Sequence, residues 1–363
     1  MKININTAEM KDVIKKVKKV LSKKTKLPYL EKLYMVTSSE GIKAIASDLE
    51  NTLVFNIPGE VIEHGQTLLD GVTLKMVEKL KGDNIIIEAE KVTAGKRVVE
   101  FILHEEELER YPSALPICDT EAFATTEKEL CELLQIKYAS STEEHRKAFN
   151  TVAIDKFKAY ATDTFRLATR HLPFDNKLDE LILLHLNTVN LLNKILNKKS
   201  DNRIECKVST KKNNESRNIQ HIRFDTGNMQ MYSRLVDENF VDAEGVIPQK
   251  FIGSFVVDNE RLVEELKLAT NLPKLKEIDG VPISFKLDKG NTIEITASSM
   301  SNKFKTYIYA ELDGEFEEFT LNSRFLTDTI KHCNSGKIEF KLCGLHKPLM
   351  VGEDLILPMR MEQ

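Results

Sequence analysis

Two aspartates stand where predicted strands end, a position from which a carboxylate could bind a divalent metal. Asp48 follows the strand Gly41 to Ala46, and Asp163 follows the strand Phe157 to Ala161, each directly after a Ser or a Thr. Such carboxylates could serve a metal-dependent DNA enzyme. However, an Asp in this position more commonly accepts hydrogen bonds from the backbone of its own turn. The sequence shows no further carboxylates converging there, so we favour the structural role.

Other catalytic signatures are missing from the sequence. Gly95 and Lys96 resemble the end of a phosphate-binding loop, but Glu90 stands where its first glycine belongs. His104 precedes a Glu-rich stretch without a second His at helical spacing, and no GxSxG elbow occurs. We therefore predict a protein that is not an enzyme, with no catalytic residue, no metal and no cofactor. Reduced thiols are expected, since no CxxC pair occurs among Cys118, Cys131, Cys206, Cys333 and Cys343.

Length and composition predict a globular protein of two or three domains. The chain has 363 residues, of which 41% are hydrophobic and 30% charged. No apolar run approaches the roughly 18 residues needed to cross a bilayer. The first residues lack the apolar core of a signal peptide. We expect no contact with a membrane and a cytoplasmic location.

A loose internal repeat organises the elements that position these residues. Each of three copies reads strand, turn, strand, turn, strand, helix, strand, around Ala46, Ala161 and Ala297. The predicted strands include Gly41 to Ala46, Thr52 to Ile57, Asn84 to Glu88, Phe157 to Ala161, Arg166 to His171, Leu181 to Leu186, Arg203 to Val208, Thr292 to Ala297, Phe304 to Ala310, Phe316 to Leu321 and Lys337 to Leu342.

Each copy also contains two predicted helices. A first helix precedes the strands at Thr7 to Leu21, Thr126 to Ala139 and Val257 to Thr270. A second lies near Val72 to Leu80, at Asn187 to Asn197 with Asn187 as its cap, and from Asn322 to His332 with Asn322 as its cap. We predict an α+β fold of three similar domains at residues 1–122, 123–248 and 249–363, each with two helices packed on antiparallel sheets.

Charge is distributed unevenly along the chain. The net charge is −4, yet residues 1–26 contain nine lysines against Glu9 and Asp12. A basic segment in an otherwise acidic body is typical of a protein that touches nucleic acid on one face.

The lysines of the first predicted helix can be interpreted in two ways. Met10, Val13, Ile14 and Val17 form an apolar stripe, and lysines cover the other faces. Those lysines could simply be a solvated surface, or they could face phosphates without reading base sequence. The other helices are mixed or acidic, so a DNA channel lined by all of them would have a patchy positive potential.

Several segments resemble the bacterial DNA sliding clamp family, the beta subunit of DNA polymerase III. Residues 160–168, YATDTFRLA, resemble its ATD-x-x-RLA signature, and residues 355–360, LILPMR, resemble its C-terminal motif. Residues 233–240 with 246–248, residues 26–30 and residues 46–50 resemble further family motifs in the family's order. The resemblance spans the whole chain.

The resemblance implies three domains per chain and two chains joined head to tail as a ring around duplex DNA. It implies sequence-independent contacts to DNA and tethering of the replicative DNA polymerase, the clamp loader and repair proteins through short peptide motifs. It further implies a bacterial protein associated with the nucleoid.

Site residues follow from the resemblance by matching position. A hydrophobic peptide-binding pocket would comprise Phe149, Thr162, Thr164, Phe165, Arg166, Leu167, Val241, Val246, Ile278, Leu357, Pro358, Met359 and Arg360. DNA contacts would fall on Lys24, Arg146 and Lys147, and the dimer interface on Val99, Phe101, Leu268 and Leu272.

The sequence departs from the family pattern at the pocket. Thr164 and Phe165 replace the usual Gly-His, Val241 stands where Pro is usual, and Gly245 stands where a basic residue is common. Ala148 replaces a frequent tyrosine. These changes predict a reshaped pocket with a different motif preference.

Three other interpretations stay open at this point. The chain could be a divergent clamp homologue specialised for repair or carried by a mobile element. It could be the metal-dependent DNA enzyme considered above, or a peptide-binding scaffold that never encloses DNA.

Overall fold

The computed structural model describes residues 1–21, 25–210, 219–273, 279–333 and 335–360. It contains two compact units. Unit 1 comprises Met1–Glu132 and Pro173–Asp237, and unit 2 comprises Leu133–Leu172 and Glu238–Gln363.

The strands follow in chain order. The first ten are β1 Lys2–Asn6, β2 Leu33–Ser38, β3 Gly41–Ser47, β4 Asn51–Ile57, β5 Gly59–Glu63, β6 Gln66–Leu69, β7 Asn84–Glu88, β8 Lys91–Ala94, β9 Arg97–Glu100 and β10 Thr120–Thr126. The next eight are β11 Thr151–Ile154, β12 Lys158–Thr162, β13 Arg166–His171, β14 Ile182–His185, β15 Arg203–Thr210, β16 Ile219–Asp225, β17 Met229–Arg234 and β18 Gly253–Asp258. The last seven are β19 Pro282–Leu287, β20 Thr292–Ser298, β21 Lys303–Gly314, β22 Phe319–Asn322, β23 Lys337–Leu342, β24 Leu349–Val351 and β25 Asp354–Ile356.

Each repeat holds two principal helices, and two shorter ones lie between repeats. The α-helices are α1 Thr7–Val17, α2 Gly71–Lys79, α3 Glu105–Arg110, α4 Glu127–Leu133, α5 Leu186–Ile195, α6 Ala243–Val246, α7 Asn259–Ala269 and α8 Ser323–Lys331. Short 3-10 helices span Pro28–Glu31 and Leu134–Ala139.

Unit 1 contains two antiparallel sheets. One has the strand order β5-β1-β7-β8-β9, and the other has the order β10-β15-β16-β17-β4-β3-β2-β6. In the second sheet, β17 of the second repeat pairs with β4 of the first, from Met229 opposite Phe55 to Ser233 opposite Asn51. The sheet therefore continues from one repeat into the next.

Unit 2 repeats this arrangement one step further along the chain. Its strands follow the order β11-β12-β13-β25-β24-β23-β18-β21-β20-β19-β22. Here β13 of the second repeat pairs with β25 of the third, Arg166 opposite Ile356 and Leu167 opposite Leu355. The core of unit 2 includes Phe255, whose ring stacks on Phe340 at 4.6 Å.

Side-chain caps explain where the helices begin. Asn322 accepts a hydrogen bond from the Arg324 amide at 2.9 Å, which confirms it as the cap of α8. The predicted cap of α5 is wrong. His185 holds that position because its Nδ1 accepts from the Asn187 amide at 3.1 Å, which places Asn187 in the first turn.

Other predicted elements differ in extent. The first helix ends at Val17 rather than Leu21, and the helix expected up to Ala139 changes to a 3-10 helix at Leu134. The predicted turn at Asp313 and Gly314 is instead the end of β21, where Gly314 lies opposite Gly253. Gly314 has a φ of 79°, and an added Cβ would lie 2.8 Å from the Ile252 carbonyl oxygen, so this position requires glycine.

Within the described residues, no helix is both long and apolar enough to cross a lipid bilayer.

Candidate functional site

The turn between β12 and β13 is built by the aspartate that the sequence singled out. Asp163 Oδ1 accepts hydrogen bonds from the amides of Phe165 and Arg166, both at 3.0 Å. Asp48 does the same in the first repeat, accepting from the amides of Glu50 at 3.0 Å and Asn51 at 2.6 Å. The structural role predicted for both aspartates is confirmed. In the described part of the chain, no three His, Cys, Asp or Glu side chains are grouped so that they could hold a metal ion.

The same turns force two ordinary residues into a left-handed backbone conformation. Thr164 has a φ of 79°, and Leu49 at the matching position has a φ of 75°. This conformation costs a residue other than glycine roughly 1–2 kcal/mol, and a β-branched side chain adapts to it poorly. Thr164 is held by two bonds, because its amide donates to Thr162 Oγ1 at 3.0 Å and its hydroxyl accepts from Arg146 Nη1 at 3.2 Å.

The Arg166 side chain is buried within unit 2, where it is only 3% exposed. Nε donates to Asp163 Oδ2 at 3.0 Å, Nη1 donates to Asp328 Oδ2 at 2.8 Å, and Nη2 donates to the carbonyl oxygen of Tyr138. The guanidinium carbon also lies 4.6 Å from the centre of the Phe325 ring. These donors hold the Asp163 turn, Asp328 of α8 and the Tyr138 carbonyl oxygen together within unit 2.

A second buried charge anchors the C-terminal strand. The Asp354 carboxylate is 1% exposed and accepts from Thr329 Oγ1 at 2.8 Å, from Arg170 Nη1 at 2.7 Å and from the Tyr138 hydroxyl. Burial raises the pKa of Tyr138, and the neighbouring Asp354 raises it further. Tyr138 therefore keeps its proton and remains a donor to Asp354 at physiological pH.

The C-terminal segment is attached directly to the turn. Beyond β25, the Leu357 amide donates to the Phe165 carbonyl oxygen at 2.9 Å, and the Met359 amide donates to the Thr320 carbonyl oxygen at 2.8 Å. The two motifs that resembled the clamp family, 160–168 and 355–360, are thus neighbours within unit 2.

The predicted pocket residues divide into a buried and an exposed set. Thr162, Arg166 and Leu167 are buried, and they support the site from beneath. The exposed members include Phe165 (55%), Val246 (51%), Val241 (40%) and Leu357 (36%), with Thr164 and Arg360. Phe149, Pro358 and Met359 are half-buried, and Ile278 lies outside the described residues.

Two of the predicted pocket residues are members of aromatic pairs. The Phe165 ring stacks on Phe325 with centres 6.3 Å apart and planes 21° apart. Phe149 meets Phe240 edge to face at 6.4 Å. The sequence analysis did not assign Phe325 to the pocket. Its position three residues after the Asn322 cap determines the face of α8 on which its side chain lies. The short helix α6 carries Val246, and its Glu244 accepts from Lys158 Nζ on β12 at 2.8 Å.

The residues predicted to contact DNA are only partly described. Lys24 lies outside the described residues, and Lys147 is exposed. Arg146 is 38% exposed, pairs with Glu143 at 3.0 Å and donates to Thr164. Arg146 therefore lies beside the turn that contains Thr164.

The lysines of α1 and of the turn that follows it are not equivalent. Lys11 Nζ donates to the Leu80 carbonyl oxygen at 2.6 Å, Lys18 pairs with Glu78, and Lys16 pairs with Asp12 at 3.1 Å. Lys15 and Lys19 are exposed and lie one turn apart. Both side chains face solvent.

The residues predicted for the dimer interface differ in exposure. Val99 is 5% exposed and packs inside unit 1, whereas Val98 is 53% exposed. Val98 is thus the exposed apolar side chain of β9, next to the exposed Arg97 and Glu100. Phe101 is half-buried beyond the end of this strand. In unit 2, Leu268 is 57% exposed on α7, and Leu272 packs partly against the core.

Family models match almost the whole chain. The N-terminal, central and C-terminal domains of the DNA polymerase III beta subunit match residues 1–115, 126–242 and 244–355. The chain belongs to the DNA polymerase III beta subunit family. The beta sliding clamp of Bacillus subtilis is 23% identical over 390 residues, covering 99% of this chain and 100% of that protein.

Solved structures of beta subunits share the fold. The DNA polymerase sliding clamp from Bacillus subtilis superposes with a TM-score of 0.87 at 21% identity over 100% of both chains. A sliding clamp from Bartonella birtlesii bound to griselimycin gives a TM-score of 0.87 at 19% identity, over 99% of this chain and 100% of that chain. The predicted α+β fold of three clamp domains is confirmed.

Proposed function

We propose that this member of the beta subunit family is a DNA sliding clamp. Two copies close head to tail into a ring around duplex DNA and slide along it without catalysing a reaction. The ring tethers the replicative polymerase, the clamp loader and repair proteins through short peptide motifs. We place its domains at residues 1–122, 123–248 and 249–363, and the protein in the bacterial cytoplasm at the nucleoid.

The observation that carries this proposal is the way repeats join through their edge strands. Each repeat has one strand that follows a corresponding turn. β4 follows the turn near Asp48, β13 follows the turn near Asp163, and β21 follows the turn that begins at Ser299. Within the chain, β4 pairs with β17 of the next repeat, and β13 pairs with β25 of the next. Both junctions are antiparallel. Each joins the strand after the turn in one repeat to the last strand, in chain order, of the next repeat.

The third repeat supplies the same kind of strand for a junction with another chain. β21 pairs with β18 over Ala310–Gly314 and with β20 over Lys303–Tyr309. In unit 1, the order of the described strands places β9 at a sheet edge, equivalent to β17 and β25. We therefore pair residues 303–309 of one copy with residues 97–101 of a second copy. Two such junctions close a ring because each copy offers both edges.

Exposed side chains around these edges suit a protein interface. On β9, Val98 is 53% exposed, and on α2 Val72 and Met76 are 66% and 47% exposed. On β21, Tyr307 and Tyr309 are 46% and 66% exposed. Tyrosine and large apolar residues are typical of buried interface centres.

The pocket proposal rests on the joined motifs in unit 2. The exposed apolar side chains of Phe165 and Leu357 lie at a turn whose backbone is fixed by Asp163. Arg146, which bonds to Thr164 in this turn, also accepts a hydrogen bond from the Phe149 amide through its carbonyl oxygen. A few polar groups beside an apolar surface are what an extended peptide motif needs. We propose that this surface binds the partner motifs, and that the two pockets of a dimer give avidity to tethered partners.

Val98→Asp is expected to abolish the processivity that the chain gives to its host's replicative polymerase. A carboxylate buried in the β9–β21 junction lacks a partner, so the ring does not close. The assay measures product length on a primed single-stranded circle with the host's polymerase and clamp loader. Light scattering should show the wild-type dimer and a Val98→Asp monomer of 41.4 kDa.

Ile62→Asp is the matched control. Ile62 is 51% exposed on β5, at the opposite edge of the same sheet, so this variant should dimerise and support long products. A monomeric wild type at micromolar concentration contradicts the ring, and long products from a dimeric Val98→Asp contradict the assigned edge.

A further inference from the structure

The connector between the second and third repeats, residues 238–246, carries a carboxylate that reaches a neighbouring strand. Glu244 on α6 accepts a hydrogen bond from Lys158 Nζ at 2.8 Å, and its Oε1 also lies 2.8 Å from the Tyr160 hydroxyl. Lys158 and Tyr160 are two residues apart on β12, so their side chains share one face of that strand. An ion pair and a hydrogen bond therefore attach α6 to β12 within unit 2.

The Tyr160 hydroxyl is the buried part of this contact. Tyr160 is only 3% exposed, and its oxygen lies 2.8 Å from Asp155 Oδ2 as well as from Glu244. Burial raises the pKa of Tyr160 and the two carboxylates raise it further, so the hydroxyl keeps its proton. The Lys158 ammonium lowers the pKa of Glu244, which keeps that carboxyl ionised. Moving α6 away from β12 would break a charge-assisted contact at a buried group, which costs more than losing a surface ion pair.

A second contact attaches the other part of the connector. The Phe240 ring meets the Phe149 ring edge to face at 6.4 Å. The Phe149 amide donates to the Arg146 carbonyl oxygen at 2.9 Å, and Arg146 Nη1 donates to Thr164 in the turn between β12 and β13. The last residue of β12, Thr162, accepts from the Thr164 amide at 3.0 Å. Both contacts of the connector therefore lead to the same turn.

Two exposed apolar side chains lie beside these contacts on the connector. Val241 directly follows Phe240 and is 40% exposed, and Val246 lies two residues after Glu244 and is 51% exposed. The helix α6 has only four residues, and so short a helix is not stable without tertiary contacts. The positions of the two valines therefore depend on the contacts that hold the connector.

We propose that Glu244, Lys158 and Tyr160 position the connector so that its two exposed valines form a wall of the peptide-binding pocket. The three act as positioning residues, because they hold α6 on β12 and do not themselves bind the partner motif. An apolar side chain of that motif packs more tightly against the wall while the contact is made. This inference rests on the proposed function, and it adds the contact that fixes the shape of the pocket.

Reversing one charge and then both charges tests this contact. The probe is a fluorescent motif peptide of the host's replicative polymerase, bound to the full-length protein. Glu244→Lys places a second cation beside Lys158, so we expect the peptide to bind roughly three- to tenfold more weakly. The exchanged variant, Lys158→Glu with Glu244→Lys, restores opposite charges and should bind within about twofold of the wild type. Hydrogen exchange of the α6 amides should become faster in Glu244→Lys and slow again in the exchanged variant.

Glu339→Lys is the matched control. Glu339 pairs with Lys341 on β23 at 3.0 Å, and the two side chains are 42% and 40% exposed, so a charge is reversed in a comparable pair away from the connector. This variant should bind the peptide as the wild type does. Urea unfolding should give all three variants nearly the wild-type free energy, because both pairs reach solvent. A change in affinity then reports the position of the connector rather than a loss of fold.

The outcomes distinguish this inference from the proposed function. If Glu244→Lys binds the peptide with wild-type affinity, the contact does not position the wall, and the pocket itself stands. The same conclusion follows if the exchanged variant binds as weakly as Glu244→Lys. If the wild type does not bind the peptide at micromolar concentration, the pocket assignment fails, and this inference fails with it.

Discussion

Replacing Arg166 with methionine is expected to lower the free energy of unfolding of unit 2 by about 3–5 kcal/mol. The substitution keeps much of the side-chain volume but leaves the Asp163 and Asp328 carboxylates without the guanidinium that pairs with both. Removing one partner of a buried ion pair lowers the free energy of unfolding by more than the intact pair contributes, because the remaining charge stays desolvated. The Phe325 ring also loses the cation beneath it.

Urea unfolding and hydrogen exchange of the β13 amides measure this loss. Arg324→Met is the matched control within unit 2, since the Arg324 side chain is 49% exposed and pairs with the exposed Asp279. An exposed pair contributes about 0–1 kcal/mol, so the control should stay close to wild type. A loss below about 1 kcal/mol for Arg166→Met would show that Arg166 does not anchor unit 2.

A chain that ends at Ile356 is expected to lose at least about tenfold, and up to hundreds of fold, in affinity for a polymerase motif peptide. The deletion removes the apolar side chains of Leu357 and Met359 but keeps β25, which pairs with β13 at Leu355 and Ile356. Burying one such side chain is worth about 1.5–3 kcal/mol, and each 1.4 kcal/mol is a factor of ten in affinity. Fluorescence anisotropy with the labelled peptide gives the change directly.

The control for this deletion is a chain that ends at Arg360, which retains the whole C-terminal wall and should bind as wild type does. Both truncated chains should remain dimeric, because the proposed interface uses β9 and β21. Unchanged affinity in the chain that ends at Ile356 would remove residues 357–360 from the pocket.

Local chemistry made much of the fold predictable. The Asp turns depend on bonds to amides two and three residues further on, and the Asn322 cap on a bond two residues away, so short-range sequence was sufficient. The recurrence of these signals predicted three domains. The His185 cap was missed because an imidazole is an uncommon cap beside a nearby asparagine.

The interior of the site was less predictable because its partners are distant in sequence. Arg166 reaches Asp328, 162 residues away, and Tyr138 reaches Asp354, 216 residues away. Arg166 was placed in the pocket by resemblance, and no local pattern indicates that its side chain is buried and paired with Asp163 and Asp328. Val98 and Val99 show a different limit: alternation requires one to face inward, but identical side chains do not indicate which one.

Retention on DNA of defined topology tests the central claim most directly. The protein is loaded by its cognate clamp loader onto a nicked circle, freed of unbound protein, and divided before one half is linearised by a restriction enzyme. A closed ring remains on the circle and slides off the free ends of the linear form, so gel filtration should find it with DNA only in the uncut half. Equal retention on circular and linear DNA would contradict the ring, because binding to phosphates alone does not depend on whether the duplex has ends.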